Sequence, residues 1–283
     1  MARGERAVLI TGCSSGIGHA CALGLAHRGY QVVASARRQE DVDRLRDEGL
    51  ASVRLDLDDP ASISSGLTGT LELTGGRLYA LFNNGAYGQP GAVEDLTREA
   101  LRAQLETNLL GWHDLTCRVI PLMRRQREGR IVQNSSVLGL VTLPYRGAYV
   151  ASKFALEGLT DTLRLELAGT GIQVSLIEPG PILSRFRDNA HQKWREHIDA
   201  EHSAHRAAYA AMEQRLLKEG AAAPFTLPPE AVLKRLIRAL EDPKPKPRYY
   251  VTTPTYLLAG LRRILSTRLL DRVLRRVSGD GAR

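Results

Sequence analysis

Tyr149 and Lys153 stand four residues apart in a helix-favouring run. That spacing puts both side chains on one helix face, so an ammonium can lie beneath a phenol and favour its ionised form. A tyrosine tuned in this way can run acid–base chemistry near neutral pH. Ser136 lies upstream, and near the start of the chain comes a glycine-rich run, Thr11-Gly12-Cys13-Ser14-Ser15-Gly16-Ile17-Gly18. Taken singly, each residue has a structural use: an aromatic at the core edge, a solvated charge, a turn serine, a helix-capping glycine.

The elements that must position these groups follow from the apolar pattern. A β-favouring run at 7–11 leads into the glycine turn, and a helical pattern from Ile17 to about His27 stops at Gly29. Strands at 31–35, 51–55 and 78–82 alternate with helices at 39–48 and 61–74. The second half repeats the rhythm with helices over 98–127, a strand at 129–134, a helix at about 147–167 and a strand at 172–177. Continuous apolar strands between amphipathic helices predict a parallel sheet buried on both faces, with right-handed crossovers. The expected fold is α/β, a Rossmann-type doubly wound sheet in a single domain. After Pro179-Gly180-Pro181 the rhythm breaks into a long polar helical stretch at 185–219, then a helix at 229–240, a Pro/Lys linker at 242–247 and a last strand at 249–252.

Glycines at 12, 16 and 18, between a strand and a helix, let the backbone approach a pyrophosphate while free helix N–H groups attract its charge. Their spacing differs from the common dinucleotide fingerprint. Where the second strand ends, an acidic residue would accept hydrogen bonds from an adenosine ribose, but the chain reads Ala36-Arg37-Arg38. A guanidinium is a planar, permanently charged fork that suits a 2′-phosphate, so NADP(H) is favoured over NAD(H). Asp56, ending the third strand, can bond an adenine amino group or cap the following turn.

Bulk properties narrow the class. A chain of 283 residues with 43% hydrophobic content can bury one large core. Cys13, Cys21 and Cys117 lack metal-ligand spacing, which argues for a reducing compartment and against a disulfide framework. The first six residues lack the apolar stretch of a secretory signal, so a cytoplasmic protein is expected. Of the net charge of +8, residues 255–283 contribute +5 through seven arginines against Asp271 and Asp280. The basicity therefore belongs to the tail, and with 5% aromatic residues and no recognisable motif, nucleic-acid binding is not expected.

With Asn83-Asn84-Gly85-Ala86, Asn108 and Pro179-Gly180 added to the glycine turn, Ser136 and Tyr149-x3-Lys153, the chain resembles the short-chain dehydrogenase/reductase family over residues 6–186. The run from Tyr149 through Lys153 to Gly158-Leu159 resembles its 17β-hydroxysteroid dehydrogenase and retinol dehydrogenase-like branch, which includes bacterial NADPH-dependent aldehyde reductases. The resemblance implies that Tyr149 exchanges a proton with a carbonyl oxygen as hydride moves to or from the nicotinamide, and that Ser136 holds that oxygen. Lys153 would bond the nicotinamide ribose and lower the tyrosine pKa, and Asn108 would support an ordered water. The implied cofactor contacts are Gly12, Ser14, Ser15, Gly16, Ile17, Gly18, Arg37, Arg38, Asp56, Leu57, Asn83, Gly85, Tyr149, Lys153, Pro179, Gly180 and Ile182, with no metal. Two positions depart from the pattern. The usual Asn-Asn-Ala-Gly has its small residues exchanged, putting Ala86 where glycine eases the backbone, and Ser15 stands where NADP-preferring relatives often carry a basic residue.

The expected activity is NADP(H)-dependent hydride transfer to or from an apolar aldehyde, ketone or alcohol. A steroid- or retinoid-specific dehydrogenase is one alternative, and a cofactor-binding sensor without turnover is another. Residues 1–254 would form the catalytic domain and 182–228 a helical substrate lid within it. The lid's His191, His197, His202 and His205 lack a metal-binding motif and are expected on a polar helical face. Apolar residues from Tyr256 to Val277 fall at helical spacing among six arginines, predicting one basic amphipathic helix in a 255–283 extension. That helix could lie on an anionic membrane surface, pack over the pocket, or join a second subunit. By resemblance, a homodimer or homotetramer is expected.

Overall fold

The structure, a computed structural model, describes residues 6–279 except 219 and 222. Expectations touching residues 1–5, Glu219 and 280–283 lie outside the described residues. Strands β1 (Ala7–Ile10), β2 (Gln31–Ala36), β3 (Ala51–Arg54), β4 (Ala80–Asn83), β5 (Gly129–Asn134), β6 (Ile172–Glu178) and β7 (Arg248–Tyr250) form one parallel sheet ordered β3-β2-β1-β4-β5-β6-β7. Its helices are α1 (Gly16–His27), α2 (Gln39–Asp47), α3 (Pro60–Leu73), α4 (Arg98–Leu105), α5 (Gly111–Gln126), α6 (Gly147–Glu166) and α9 (Glu230–Glu241).

Side chains alternate across each strand, so the two faces of the sheet feed two cores. Val8 and Ile10 pack with Leu25 of α1, Leu45 of α2 and Leu236 of α9. Ala7 and Leu9 pack with Ile63 of α3, Leu115 of α5 and Leu156 of α6. Burial on both faces is why the strands read as unbroken apolar runs, and each large side chain so buried contributes about 1.5–3 kcal/mol. The strand order reverses between β1 and β4, which opens a crevice outside the carboxyl ends of the strands. The Rossmann-type single domain expected from the sequence is the fold observed.

Two expected long helices are broken. The polar stretch at 185–219 forms α7 (Phe186–His197) and α8 (Arg206–Leu217), separated by a turn in which Asp199 accepts from the Ile198-proximal residue His202 through its main-chain N–H at 3.3 Å. Asp and Ser side chains offer the backbone such local bonds in place of helical ones. The basic tail likewise forms α10 (Thr253–Ile264) and α11 (Thr267–Ser278), because Leu265 and Ser266 are extended (ψ 143° and 154°). Ser266 is the residue at which α11 starts, a position serine favours over a helix interior.

Candidate functional site

The glycine turn works by bringing backbones together. Gly12 has φ +70°, and a Cβ there would lie 2.5 Å from Gly85 Cα, so the β1 and β4 loops touch main chain to main chain. A Cβ on Gly18 would collide with the Gly12 carbonyl oxygen. Thr11 Oγ1 accepts from the N–H groups of Asn84 (2.8 Å) and Gly85 (3.0 Å). Asn84 donates to Thr11 O at 2.9 Å and accepts from Asn134 Nδ2 at 2.8 Å, which ties the ends of β1, β4 and β5 together. Ser15, extended at φ −169°, starts α1 without a side-chain cap, and the first turn carries no acidic residue. The N-terminal N–H groups of Gly16, Ile17 and Gly18 are therefore available to an anion, and the cradle fits a dinucleotide pyrophosphate. Ala86 has no positive φ, so the exchanged Gly85-Ala86 pair is accommodated without strain.

At the end of β2, Arg37 is exposed, and Arg38 pairs with Glu40 (3.0 Å) and Asp41 (3.3 Å). Arg44 of α2 donates to the carbonyl of Ser14 at 2.7 Å while also bonding Asp41. A third guanidinium thus sits against the glycine turn where Ser15 supplies no charge. Asp56 uses Oδ1 to accept from the N–H of Asp58 at 3.2 Å, the turn-capping use anticipated as one of its two options. Leu57 is buried against Gly85. Asn83 is fully buried with its amide donating to Thr116 at 3.0 Å, so its side chain faces the core.

The chemistry-bearing groups converge at the ends of β5 and β6. Tyr149 and Lys153 lie in the first two turns of α6, and Ser136 stands near enough to the Tyr149 hydroxyl to act on it. Lys153 is 1% exposed; its ammonium donates to Asn134 O at 2.9 Å and sits 4.2 Å from the Trp112 ring and 5.7 Å from the Tyr149 ring. Burial pulls this lysine down to about 7 against a countervailing pull from Glu157. Burial also pushes the Tyr149 hydroxyl up to about 12, with Ser136 acting in the other direction. At 5.7 Å from the Tyr149 ring, the ammonium is engaged with the Asn134 carbonyl.

Asn108 lies in a π-helical turn, Glu106–Leu110, between α4 and α5. Its Oδ1 accepts from Tyr87 N at 3.1 Å and its Nδ2 donates to Tyr87 O at 2.8 Å, fixing the loop that follows β4. A further 3.3 Å bond to Ser152 Oγ joins it to α6, so it sits beside the Tyr149–Lys153 helix with its amide fully engaged. Such turns recur where a helix must be reshaped around a site.

The last wall follows β6. Pro179 O accepts from Val137 N at 2.8 Å, tying this loop to Ser136, and a Cβ on Gly180 would collide with the Thr252 hydroxyl. Ile182 bridges Leu227, so the segment between them leaves and rejoins the body at adjoining points. Phe186, first residue of α7, packs edge-on to Tyr149 at 5.4 Å. The four histidines are each engaged: His191 with Glu213, His197 with Gln89, His202 with Asp199, and His205 with Glu94 and Tyr145. Among the described residues no cluster of His, Cys, Asp and Glu could hold a metal ion. Sequence reasoning passed over Arg44, Trp112, Asn134 and Phe186. Only Asn134 carried a signal, at the end of a strand pointing into the crevice.

Residues 6–195 match the short chain dehydrogenase family. Uncharacterized oxidoreductase YbbO of Escherichia coli K12 is 42% identical over 270 residues, covering 95% of this chain and 94% of its own. Human 17-beta-hydroxysteroid dehydrogenase type 1 is 34% identical over 260 residues, covering 87% and 77%. A short chain dehydrogenase/reductase from Burkholderia phymatum, solved in complex with NAD, superposes with a TM-score of 0.75 at 27% identity, covering 91% and 92%. The likeness to the hydroxysteroid and retinol dehydrogenase branch extends to human retinol dehydrogenase 8, 38% identical over 196 residues, 66% of this chain and 62% of that one. With the motifs gathered around one crevice and residues 6–195 matched, this chain belongs to the short-chain dehydrogenase family and is an oxidoreductase that works with a nicotinamide cofactor.

Proposed function

We propose that the protein is an NADP(H)-dependent reductase of apolar aldehydes or ketones, reversible to alcohol oxidation, with Tyr149 as its acid and base. The observation that carries this reading is Tyr149 beside Ser136 with the buried Lys153 ammonium on the same helix face, at the open edge of the sheet. The bound nicotinamide supplies or accepts the hydride. Tyr149 gives the substrate oxygen its proton, and Ser136 orients that oxygen. Lys153 and Asn108 support the phenol, the lysine by its charge and the asparagine by fixing the Tyr87 loop against α6. Residues that would hold the dinucleotide are Gly12, Ser14 to Gly18, Asp56, Leu57, Gly85, Pro179, Gly180 and Ile182. Arg37 and Arg38, without a carboxylate at the end of β2, favour the 2′-phosphate, and Arg44 adds to that charge.

Residues 182–228 act as the substrate lid, with Phe186 covering Tyr149. The tail helices form a further wall: Leu258 and Leu274 pack with Val141 next to Val137 and Leu143, on the loop that follows Ser136. Their outward side exposes Leu257, Ile264, Leu269 and Val277 among arginines, a surface suited to peripheral contact with an anionic membrane of the cytoplasm. No helix among the described residues is long and apolar enough to cross a membrane. Exposed Leu110, Leu159 and Leu165 on and beside α5 and α6 suit a homo-oligomeric interface.

A steroid- or retinoid-specific dehydrogenase is a second reading, favoured by the 34% identity to 17-beta-hydroxysteroid dehydrogenase type 1 over 87% of the chain. A panel of aliphatic aldehydes, ketosteroids and retinal, each assayed with NADPH and NADH, tests both. The first reading expects NADPH-dependent reduction of aldehydes broadly, and turnover restricted to ketosteroids or retinal would favour the second. No turnover of any carbonyl would contradict both.

A further inference from the structure

Tyr145 stands two residues before α6 with φ +59°, in the left-handed region that a bulky side chain rarely occupies. Such a conformation persists where the surroundings over-determine it, and here they act on both main chain and side chain. The Tyr145 carbonyl accepts from Gly91 N at 3.2 Å and from Arg146 Nη1 at 2.9 Å. Its ring turns away from α6 and packs on the far side of the crevice, edge-on to His205 at 5.4 Å and to Tyr209 at 5.9 Å. The Tyr145 hydroxyl and His205 Nδ1 share a hydrogen bond of 3.2 Å. Tyr145 thereby borders the buried cluster of Trp194, Ile198, Tyr209 and Met212 that holds α7 and α8 together.

The next residue repeats the arrangement. Arg146 is the residue at which α6 starts, its carbonyl accepts from Val150 N at 2.8 Å to close the turn containing Tyr149, and its Nη1 lies 3.5 Å from Met212 Sδ. Gly91, bridged to Arg146, is pressed from the other side, where a Cβ would stand 2.7 Å from Ile198 Cδ1. The entry to α6 is therefore gripped by the segment that covers the crevice. Ser136 is held separately, because the residue after it donates to Pro179 O at 2.8 Å. With α8 seated, the ring contacts offset the cost of the left-handed backbone. With α8 lifted they are lost, Tyr145 can relax to negative φ, and that rotation carries the first turn of α6, with Tyr149 in it, relative to Ser136.

We propose that Tyr145 is a positioning residue that couples the α7–α8 lid to the proton donor: the seated lid holds Tyr145 in its strained conformation, and that conformation sets the first turn of α6 so that Tyr149 stands beside Ser136. A substrate that draws the lid down completes the acid site, so the chemical step favours carbonyl compounds that fill the lid. This rests on the reading of Tyr149 as the acid and of residues 182–228 as the lid.

The test is single-turnover reduction by NADPH-loaded protein of the best-reduced member of the carbonyl panel, over a range of substrate concentrations. Tyr145→Gly takes φ +59° without strain but offers the lid no ring. Its rate at saturating carbonyl falls by about 10- to 100-fold while NADPH affinity is unchanged, as expected when a reacting group is misplaced. Tyr145→Phe keeps the ring and restores the rate to within a few-fold of wild type. A rise in half-saturating carbonyl concentration with the saturating rate intact would make Tyr145 a packing residue of the lid and overturn the proposal. Should Tyr145→Gly not fold, His205→Ala removes a lid partner of the ring and lowers the saturating rate by a smaller factor; an unchanged rate again overturns the proposal. Equal rates in wild type and Tyr149→Phe would mark failure of the underlying assignment, whereas an intact saturating rate in Tyr145→Gly of a protein that needs Tyr149 marks failure of this one alone.

Discussion

The two walls of the crevice are built on opposite principles. The wall proposed for the dinucleotide is made by leaving atoms out: Gly12, Gly18 and Gly85 let main chains touch, and α1 presents uncapped N–H groups. The wall proposed to cover the substrate is made by side chains reaching across. Tyr209 of α8 bonds both Asp95 and the N–H of Ala92, Ser203 bonds Asp95 at 2.6 Å, and His205 pairs with Glu94 at 2.5 Å. A wall of close backbones has one shape and tolerates almost no added volume. A wall of polar and aromatic latches can be rebuilt one contact at a time, as suits the part of an enzyme that chooses among substrates.

The largest effect is expected where the backbones touch. Gly18→Ala pushes a methyl group into the Gly12 carbonyl; overpacking of that kind costs about 1–3 kcal/mol, enough to weaken NADPH binding by about tenfold or more in a fluorescence titration. Gly158→Ala, in α6 with open space around it, provides the contrast. It is expected to leave NADPH affinity unchanged and to raise stability by about 0.5–1 kcal/mol. Equal effects of the two substitutions on affinity would erase the difference between the walls.

Next in size is the ribose end of the cofactor wall. Removing both guanidinium groups in Arg37→Ala/Arg38→Ala loses charge-assisted bonds worth about 1.5–3 kcal/mol, so the preference for NADPH over NADH in kcat/KM should fall by about 10- to 100-fold. An unchanged ratio would shift the 2′-phosphate to Arg44, whose guanidinium already rests on the Ser14 carbonyl.

How much of each wall could be read from the sequence follows from the same contrast. A missing Cβ shows directly as glycine, and a sheet buried on both faces shows as apolar runs, so the cradle and the parallel sheet were legible before any coordinates. The Tyr149, Lys153 and Ser136 positions were legible as motif spacing. The latches were not, because Asp95 with Tyr209 and Glu94 with His205 join residues more than 100 positions apart. Arg44 escaped for the same reason: on a charged helix nothing distinguishes an arginine that bonds a loop carbonyl from its solvated neighbours. The break after His197 was missed because local bonds from Asp199 and Ser203 to the backbone, not the residue pattern, interrupt the helix, and the break at Leu265–Ser266 because apolar spacing continues across two residues whose backbone turns extended.

On the substrate wall, Tyr209→Phe removes one hydroxyl that serves Asp95 and Ala92 N, a loss of about 1 kcal/mol. The Michaelis constant for the carbonyl should rise a few-fold with NADPH affinity unchanged. A drop in NADPH affinity instead would mean the two walls are not separable.

The smallest effect is one of slope. Folded Glu178 holds its proton up to about 8, while the unfolded carboxyl releases it near 4.5, so stability declines as pH rises between those values. Glu178→Gln cannot lose a proton and should flatten that part of the decline in thermal midpoint. An identical slope in the variant would place the proton on Glu157 or Asp161, the other carboxylates paired with Arg248.

The most direct trial of the proposed chemistry is single-turnover reduction of an apolar aldehyde by NADPH-loaded wild type and Tyr149→Phe, with NADPH affinity measured on both. If Tyr149 supplies the proton, affinity stays the same while the rate falls by about 10²–10⁴-fold. Equal rates with equal affinity would contradict that assignment.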